Sequence, residues 1–287
     1  MVSKPPDPDV KKRILDHIAS KTKKQYVTCF VGPESYAVPA NVRGRIKATK
    51  TLHAAVLEAI RAVEPDRHTE IAKQFSISQS ELTALASKIS EGLGEKQRYI
   101  RGLYTGGTFA YEALVILGRM IGDVYSNAPI NPELKLADSY KSVKDSIVDL
   151  GEEEFTVGRA HPMIDPTIRK MRLVEEARDS EVAVIIMDIM LGYGSHPDPA
   201  GAMLSAVSDA KKIAERDGRV LSVLAHVCGT EQDPQPLSEQ IKKLRNAGIE
   251  VFPTNALMAI PGALIARKGK ISSSIMEDVY GTFLTGF

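Results

Sequence analysis

The chain has 287 residues, 43% hydrophobic and 25% charged, enough to bury a full core without disulfide or metal staples. Lys+Arg 37 against Asp+Glu 36 leaves a net charge of +1, which is not the basic excess of a nucleic-acid binder. No apolar run reaches the ~18 residues that span a bilayer, the polar, proline-rich start is no signal peptide, and Cys29 and Cys228 lie too far apart in sequence to suggest a disulfide framework, so a cytoplasmic protein is expected.

Ser3-Lys4-Pro5-Pro6-Asp7-Pro8 predicts an extended opening, because proline fixes φ and disfavours helix in the residue before it. Val10, Ile14, Leu15 and Ile18 fall on one side of a helix over Asp9–Ser20. Tyr26 to Val31 is a β-rich run closed by the turn signal Gly32-Pro33. Helical patterns follow over 51–63, 66–74 and 78–91, the last opened by a capping box of Ser78 and Glu81. Gly92-Leu93-Gly94 breaks the pattern and places a domain boundary near residue 95.

Beyond it the rhythm is strand, glycine turn, helix. Strands are expected over 98–104, 122–125, 143–150, 181–190, 220–227 and 250–252, with helices up to Arg119 and over 166–179, 200–217 and 237–247. EVAVIIMDIM (181–190) is apolar almost throughout, as in a parallel strand buried on both faces. Such alternation implies right-handed βαβ crossovers. The expected fold class is α/β, with a doubly wound parallel sheet over 96–265 behind a smaller, mostly helical N-terminal α/β domain over 1–95. Residues 266–287 read as a peripheral tail.

In an open parallel sheet, ligands bind outside the carboxyl ends of the strands. Three glycine-bearing loops fall there: Thr105-Gly106-Gly107-Thr108, Gly192-Tyr193-Gly194-Ser195-His196 and Cys228-Gly229-Thr230-Glu231. Glycine lets successive N–H groups turn toward one point, and a following helix N-terminus favours an anion. The same glycines also serve ordinary turns. A fourth segment, Gly151 to Pro166, carries Arg159 and His161. Arg159 suits bidentate binding of carboxylate or phosphate, and His161 a proton near neutral pH; the alternative is a surface loop salt-bridged to Glu152–Glu154. His196 is a second candidate proton carrier, or a turn residue. Asp188 lies inside the apolar strand, where a carboxylate is costly unless paired; it is either a functional acid, with His226 as a possible neighbour, or a residue at the sheet's polar edge. Cys228 reads as a buried thiol before a nucleophile, since no adjacent base activates it. There is no metal-ligand cluster at the usual spacing, no G-x-x-x-x-G-K-[ST] loop and no G-x-S-x-G.

RGLYTGGTFAYEAL (101–114), DLGEEEFTVGRAHPMIDPTIR (149–169), EVAVIIMDIMLGYGSHPDPA (181–200) and VCGTEQDPQ (227–235) resemble the FdrA family, which is similar in fold to succinyl-CoA synthetase. VSKPPDPDV resembles that family's link between a CoA-binding-like domain and the next, ligase-like domain. The run 181–234 also resembles the C-terminal ligase domain of the synthetase β chain. The resemblance implies a flavodoxin-like ligase domain over 96–265, an incomplete ligase-like domain before it, and partner subunits in an oligomer. It implies a carbamoyl or acyl transferase acting on a small carboxylate with phosphate or carbamoyl phosphate, of the oxamate carbamoyltransferase type in purine (allantoin) breakdown. CoA is admitted as a cofactor; no metal, nucleic acid or membrane is implied. His161, His196 and Asp188 would be catalytic; Arg159 and the three glycine loops (105–108, 192–194, 229–231) would hold the anion. Where the synthetase α chain has a Gly-His-Ala-Gly-Ala-like phosphohistidine loop, this sequence reads Val38-Pro39-Ala40-Asn41-Val42-Arg43-Gly44. Two other readings stand beside the transferase: an acyl-CoA synthetase subunit, and a non-catalytic anion-binding subunit.

Overall fold

A computed structural model of the chain describes residues 2–21, 23–32, 38 and 44–284. Pro33 of the expected turn, and residues 39–43 of the stretch set against the phosphohistidine loop, lie outside them. The contacts divide the chain into two compact units, Met1–Ile77 with Ser273–Phe287, and Ser78–Ser272. The division therefore falls ahead of the glycine break near residue 95, and the end of the expected tail belongs with the smaller unit.

The smaller unit holds a parallel sheet of β1 (Val2–Ser3), β2 (Tyr26–Phe30) and β3 (Ile46–Thr49) in the order β1-β2-β3. Leu15 and Ile18 of α1 (Pro8–Lys21) are buried with Ile46, as the helical periodicity requires. α2 (Leu52–Val63) starts at Thr51, whose hydroxyl accepts from Ala54 N, and α3 (His68–Gln74) follows. A helix at Ser273–Val279 and a π-helical turn at Tyr280–Leu284 complete the unit; the sequence pattern showed neither, nor β3.

The larger unit opens with α4 (Gln79–Ser90), where Ser78 and Glu81 form the expected capping box. The strands are β4 (Tyr99–Tyr104), β5 (Tyr125–Ser126), β6 (Ser146–Asp149), β7 (Val182–Met190), β8 (Ser222–Cys228) and β9 (Glu250–Phe252). They form a six-stranded parallel sheet in the order β5-β6-β4-β7-β8-β9. Eight of the nine residues of β7 are buried, which matches its two covered faces. The helices are α5 (Gly107–Ile121), the short α6 (Glu153–Thr156), α7 (Thr167–Glu176), α8 (Pro199–Arg216), α9 (Leu237–Asn246) and α10 (Asn255–Ala266).

α7, α8 and α9 cover one face, over Ile185, Met187 and Ile189 of β7 and Val223, Ala225 and Val227 of β8. α4, α5 and α10 pack together on the other. α10 comes so close to the sheet that a Cβ on Gly262 would stand 2.8 Å from Ile100 and 3.1 Å from Ile186. Side chains alternate across a strand, so Ile186 and Asp188 face the α5–α10 side. The chain leaves β4 for that side and leaves β6 and β7, its two neighbours, for the opposite one. β4 thus stands at the topological switch, where the loops part and leave a crevice at the carboxyl edge.

Candidate functional site

Thr105 follows β4 directly at this switch, and Gly106 is the N-cap of α5. Gly106 has no side chain to cap the helix, and no other side chain takes its place. Among the described residues, the N–H groups of Gly106, Gly107, Thr108 and Phe109 find no acceptor; the first helical bond is Ala110 N to Gly106 O. The other long helices of this edge each have a side-chain acceptor in the first turn. Asp165 accepts from Thr167 N ahead of α7. Asp198 accepts from Gly201 N of α8 and pairs with Lys243 at 2.8 Å. Glu231 accepts from Ser238 N and Oγ of α9, and Thr254 from Leu257 N of α10. α5 is therefore left with open amides and an unopposed positive dipole end.

Asp188 fixes the start of that helix. Thr105 N donates to its Oδ1 at 3.0 Å and Thr105 Oγ1 to its Oδ2 at 2.7 Å. Arg169 of α7 reaches over the strand ends, donating from Nη2 to Asp188 Oδ1 at 3.0 Å, to Leu103 O at 3.0 Å and to the Asp188 carbonyl. Asp188 is 0% exposed and Arg169 3%, so the pair is out of water. Asp188 therefore stands behind the loop and away from solvent, its two carboxylate oxygens accepting from Thr105 and Arg169. His226 lies beside Asp188 in register on β8, as expected, but its Nδ1 faces Phe252 O and its ring stacks edge-on against Phe109. Burial pushes the His226 imidazole below its usual range, against the pull of Phe252 O and Asp188. The Tyr104 phenol is pushed well up by burial and then by the Asp188 and Glu112 charges, and it donates to Asn255 Oδ1.

His161 comes to the same loop from the other side of β4. A Cβ on Gly151 would lie 2.7 Å from Thr105 O, 2.8 Å from His161 Nε2 and 3.1 Å from Asp149 Oδ1, so these three atoms crowd around a position only glycine fits. His161 Nδ1 accepts from Met163 N, which leaves Nε2 as the protonated nitrogen of the neutral ring. His196 is held likewise, its Nδ1 accepting from Asp198 N at 2.9 Å, and its own N–H donates to Met163 O. With Thr105, Met163 and Arg169, His196 lines a narrow cleft behind the loop. Arg159 is exposed and forms no ion pair among the described residues. The salt bridge to Glu152–Glu154 weighed for it is not made; Glu154 is taken by Asn127 and Ser139.

The other two glycine loops lie beyond β7 and β8. Gly192 takes φ +120°, a conformation that glycine tolerates, and its N–H donates to Gln235 Oε1. Gln235 Nε2 returns bonds to Gly192 O and His196 O, so this buried side chain staples the 192–196 loop. Tyr193 is 93% exposed, and no atom outside the glycine's neighbours stands near a Cβ on Gly194. Gly229 packs against Leu191, where a Cβ would stand at 2.5 Å. Thr230 N and Oγ1 donate to Asp233, so Thr230 and Glu231 are occupied in local capping. Burial, then Asp188 and Asp233, push the Cys228 thiol up, which keeps it protonated. Among the described residues no group of three or more His, Cys, Asp or Glu is placed to hold a metal, and no helix is long and apolar enough to cross a membrane.

Sequence reasoning missed Arg169 and Gln235. Arg169, Arg172 and Glu176 recur at i, i+3 and i+7 on one helix, around the buried Leu173. That spacing puts charge on the inward face and was the available signal.

A parallel sheet with helices on both faces and a topological switch at β4 defines a doubly wound α/β protein. Residues 103–260 match the CoA-ligase family, and the chain belongs to it. It is 39% identical over 251 residues to YahF, an uncharacterized protein of Escherichia coli (strain K12), a span covering 87% of this chain and 46% of that protein. The chain thus spans about half the length of this curated relative.

Proposed function

We propose that this chain is the ligase-type subunit of an enzyme that makes or breaks an acyl phosphate, with the phosphate held on the amides of residues 106–109. The carrying observation is that, among the described residues, no side chain accepts from the first N–H groups of α5, at the switch point, whereas each other long helix of this edge has a side-chain acceptor in its first turn. Membership of the CoA-ligase family supports an acid–thiol ligase. In that reaction the acyl carbon leaves the phosphate oxygen for the sulfur of CoA, and the thiol proton passes to a base. His161 presents a donor, Nε2–H, beside Thr105 O, and takes up that proton only at Nδ1, by releasing Met163 N. Arg159, exposed and without an ion pair among the described residues, supplies charge to the phosphate oxygens. A CoA-binding-like domain would act beside this one.

Carbamoyl transfer of the FdrA type is the second reading, and one feature of the sequence favours it. The stretch Val38–Gly44 carries no histidine where the synthetase α chain has its phosphorylated one. Carbamoyl phosphate is itself an acyl phosphate, so the same amides serve. Phosphate oxygen would bond to the carbamoyl carbon of oxalurate, the bond from that carbon to the oxamate nitrogen would break, and the nitrogen would take a proton.

Thermal melting against phosphate, acetyl phosphate, carbamoyl phosphate, oxamate, oxalurate and CoA tests this. A ligand at ~100 times its Kd adds about 2.7 kcal/mol to the native state. Protection by phosphate and acetyl phosphate is the expected result, reduced by Arg159→Ala with the unliganded melting temperature unchanged. Protection by carbamoyl phosphate and oxalurate but not acetyl phosphate would select carbamoyl transfer; protection by CoA alone would keep the ligase reading and contradict phosphate binding at residues 106–109.

A further inference from the structure

The open amides of α5 begin one residue after Thr105, and both donors of Thr105 are bound to the carboxylate of Asp188. A negative charge placed there repels any anion that the amides attract. The neighbours of Asp188 on its own face do not relieve it. Tyr104 stays protonated and His226 stays neutral, both through burial. Arg169 is the counter-charge, and its reach to Leu103 O and the Asp188 carbonyl holds it at the strand ends. Its Nε is buried without a hydrogen-bond partner, beside the cleft it lines with Thr105 and His196, so the guanidinium is not fully consumed by Asp188. Stability alone does not account for such a pair, since buried ion pairs replaced by apolar groups are often as stable or more so.

We propose that Arg169 and Asp188 are positioning residues for the anion: Asp188 sets the Thr105–Gly106 turn that aims the amides, and Arg169 cancels the charge this would otherwise place beneath the ligand. This rests on the reading of residues 106–109 as the anion site. Phosphate affinity is measured calorimetrically at one ionic strength for the wild type, D188N, R169M and D188N/R169M, with urea unfolding of each. R169M, leaving a bare carboxylate, binds phosphate at least about tenfold more weakly, as one unit charge within about 12 Å does at an effective dielectric of ~20. D188N keeps an Oδ1 that accepts from Thr105 N, so the turn persists without the charge and phosphate binds at least as tightly as to the wild type; the double variant recovers most of the loss. A purely structural role predicts the opposite: D188N weakened like R169M and the double variant weakest. That result overturns the inference. If R169M does not fold, D188N and the double variant still separate the two outcomes. A wild type that binds neither phosphate nor acetyl phosphate sinks the anion site and this inference together, whereas a wild type that binds with R169M unchanged sinks the inference alone.

Discussion

Thr105 shows how one residue joins fold to chemistry. Its hydroxyl and N–H are both spent on a buried acid, so it cannot touch a ligand with either, and the loop's capacity to bind passes to the next four amides. Thr105→Val removes one donor and leaves Asp188 Oδ2 short of a partner in a dry place. The expected loss is about 1–3 kcal/mol in urea unfolding, with phosphate affinity falling less than in R169M. An unchanged midpoint would mean that water reaches Asp188. The sequence marked Asp188 as costly and Thr105 as a loop residue, but it did not join them. Their contact depends on the register of β4 against β7, which no local pattern encodes.

Among the elements, β7 and α10 mark the two ends of what the sequence disclosed. EVAVIIMDIM announced a strand buried on both faces, and β7 is one. α10 is twelve residues long and wholly buried, yet NALMAIPGALIA has no polar face, so no helical period stands out, and Pro261 argues against a helix interior. Its identity comes from tertiary packing, in which Gly262 lets it approach Ile100 and Ile186. Gly262→Ala therefore overpacks this face and is expected to cost about 1–3 kcal/mol, although alanine favours helix. A stabilised variant in urea unfolding would show that the helix shifts freely. α7 is the converse case: TIRKMRLVEE is rich in charge, yet Arg169, Arg172 and Glu176 are buried and paired within the fold. The order of strands and glycine loops was legible. Which loop stays open was not, because that depends on caps such as Asp198 and Glu231 that only the fold brings into place.

For the molecule as a whole, acid is the condition that most directly tests the buried groups. Burial pushes His53 of α2 down to about 4 from an ordinary 6.5. The folded state keeps it neutral in that interval while the unfolded chain takes up a proton, so stability rises with pH there and is lost on acidification. The shift corresponds to about 3 kcal/mol at most, and the lowered His226 acts in the same direction. His53→Gln should flatten the slope of unfolding free energy between pH 4 and 6.5; an unaltered slope would place the acid sensitivity elsewhere.

The most direct test of the central claim is a phosphate titration of the nitrogen-15-labelled chain, followed at each backbone amide. Saturable shifts are expected at Gly106, Gly107, Thr108 and Phe109, with smaller ones at Gly151 and His161. Shifts confined to the 192–196 and 229–231 loops, with the first turn of α5 silent, would contradict it.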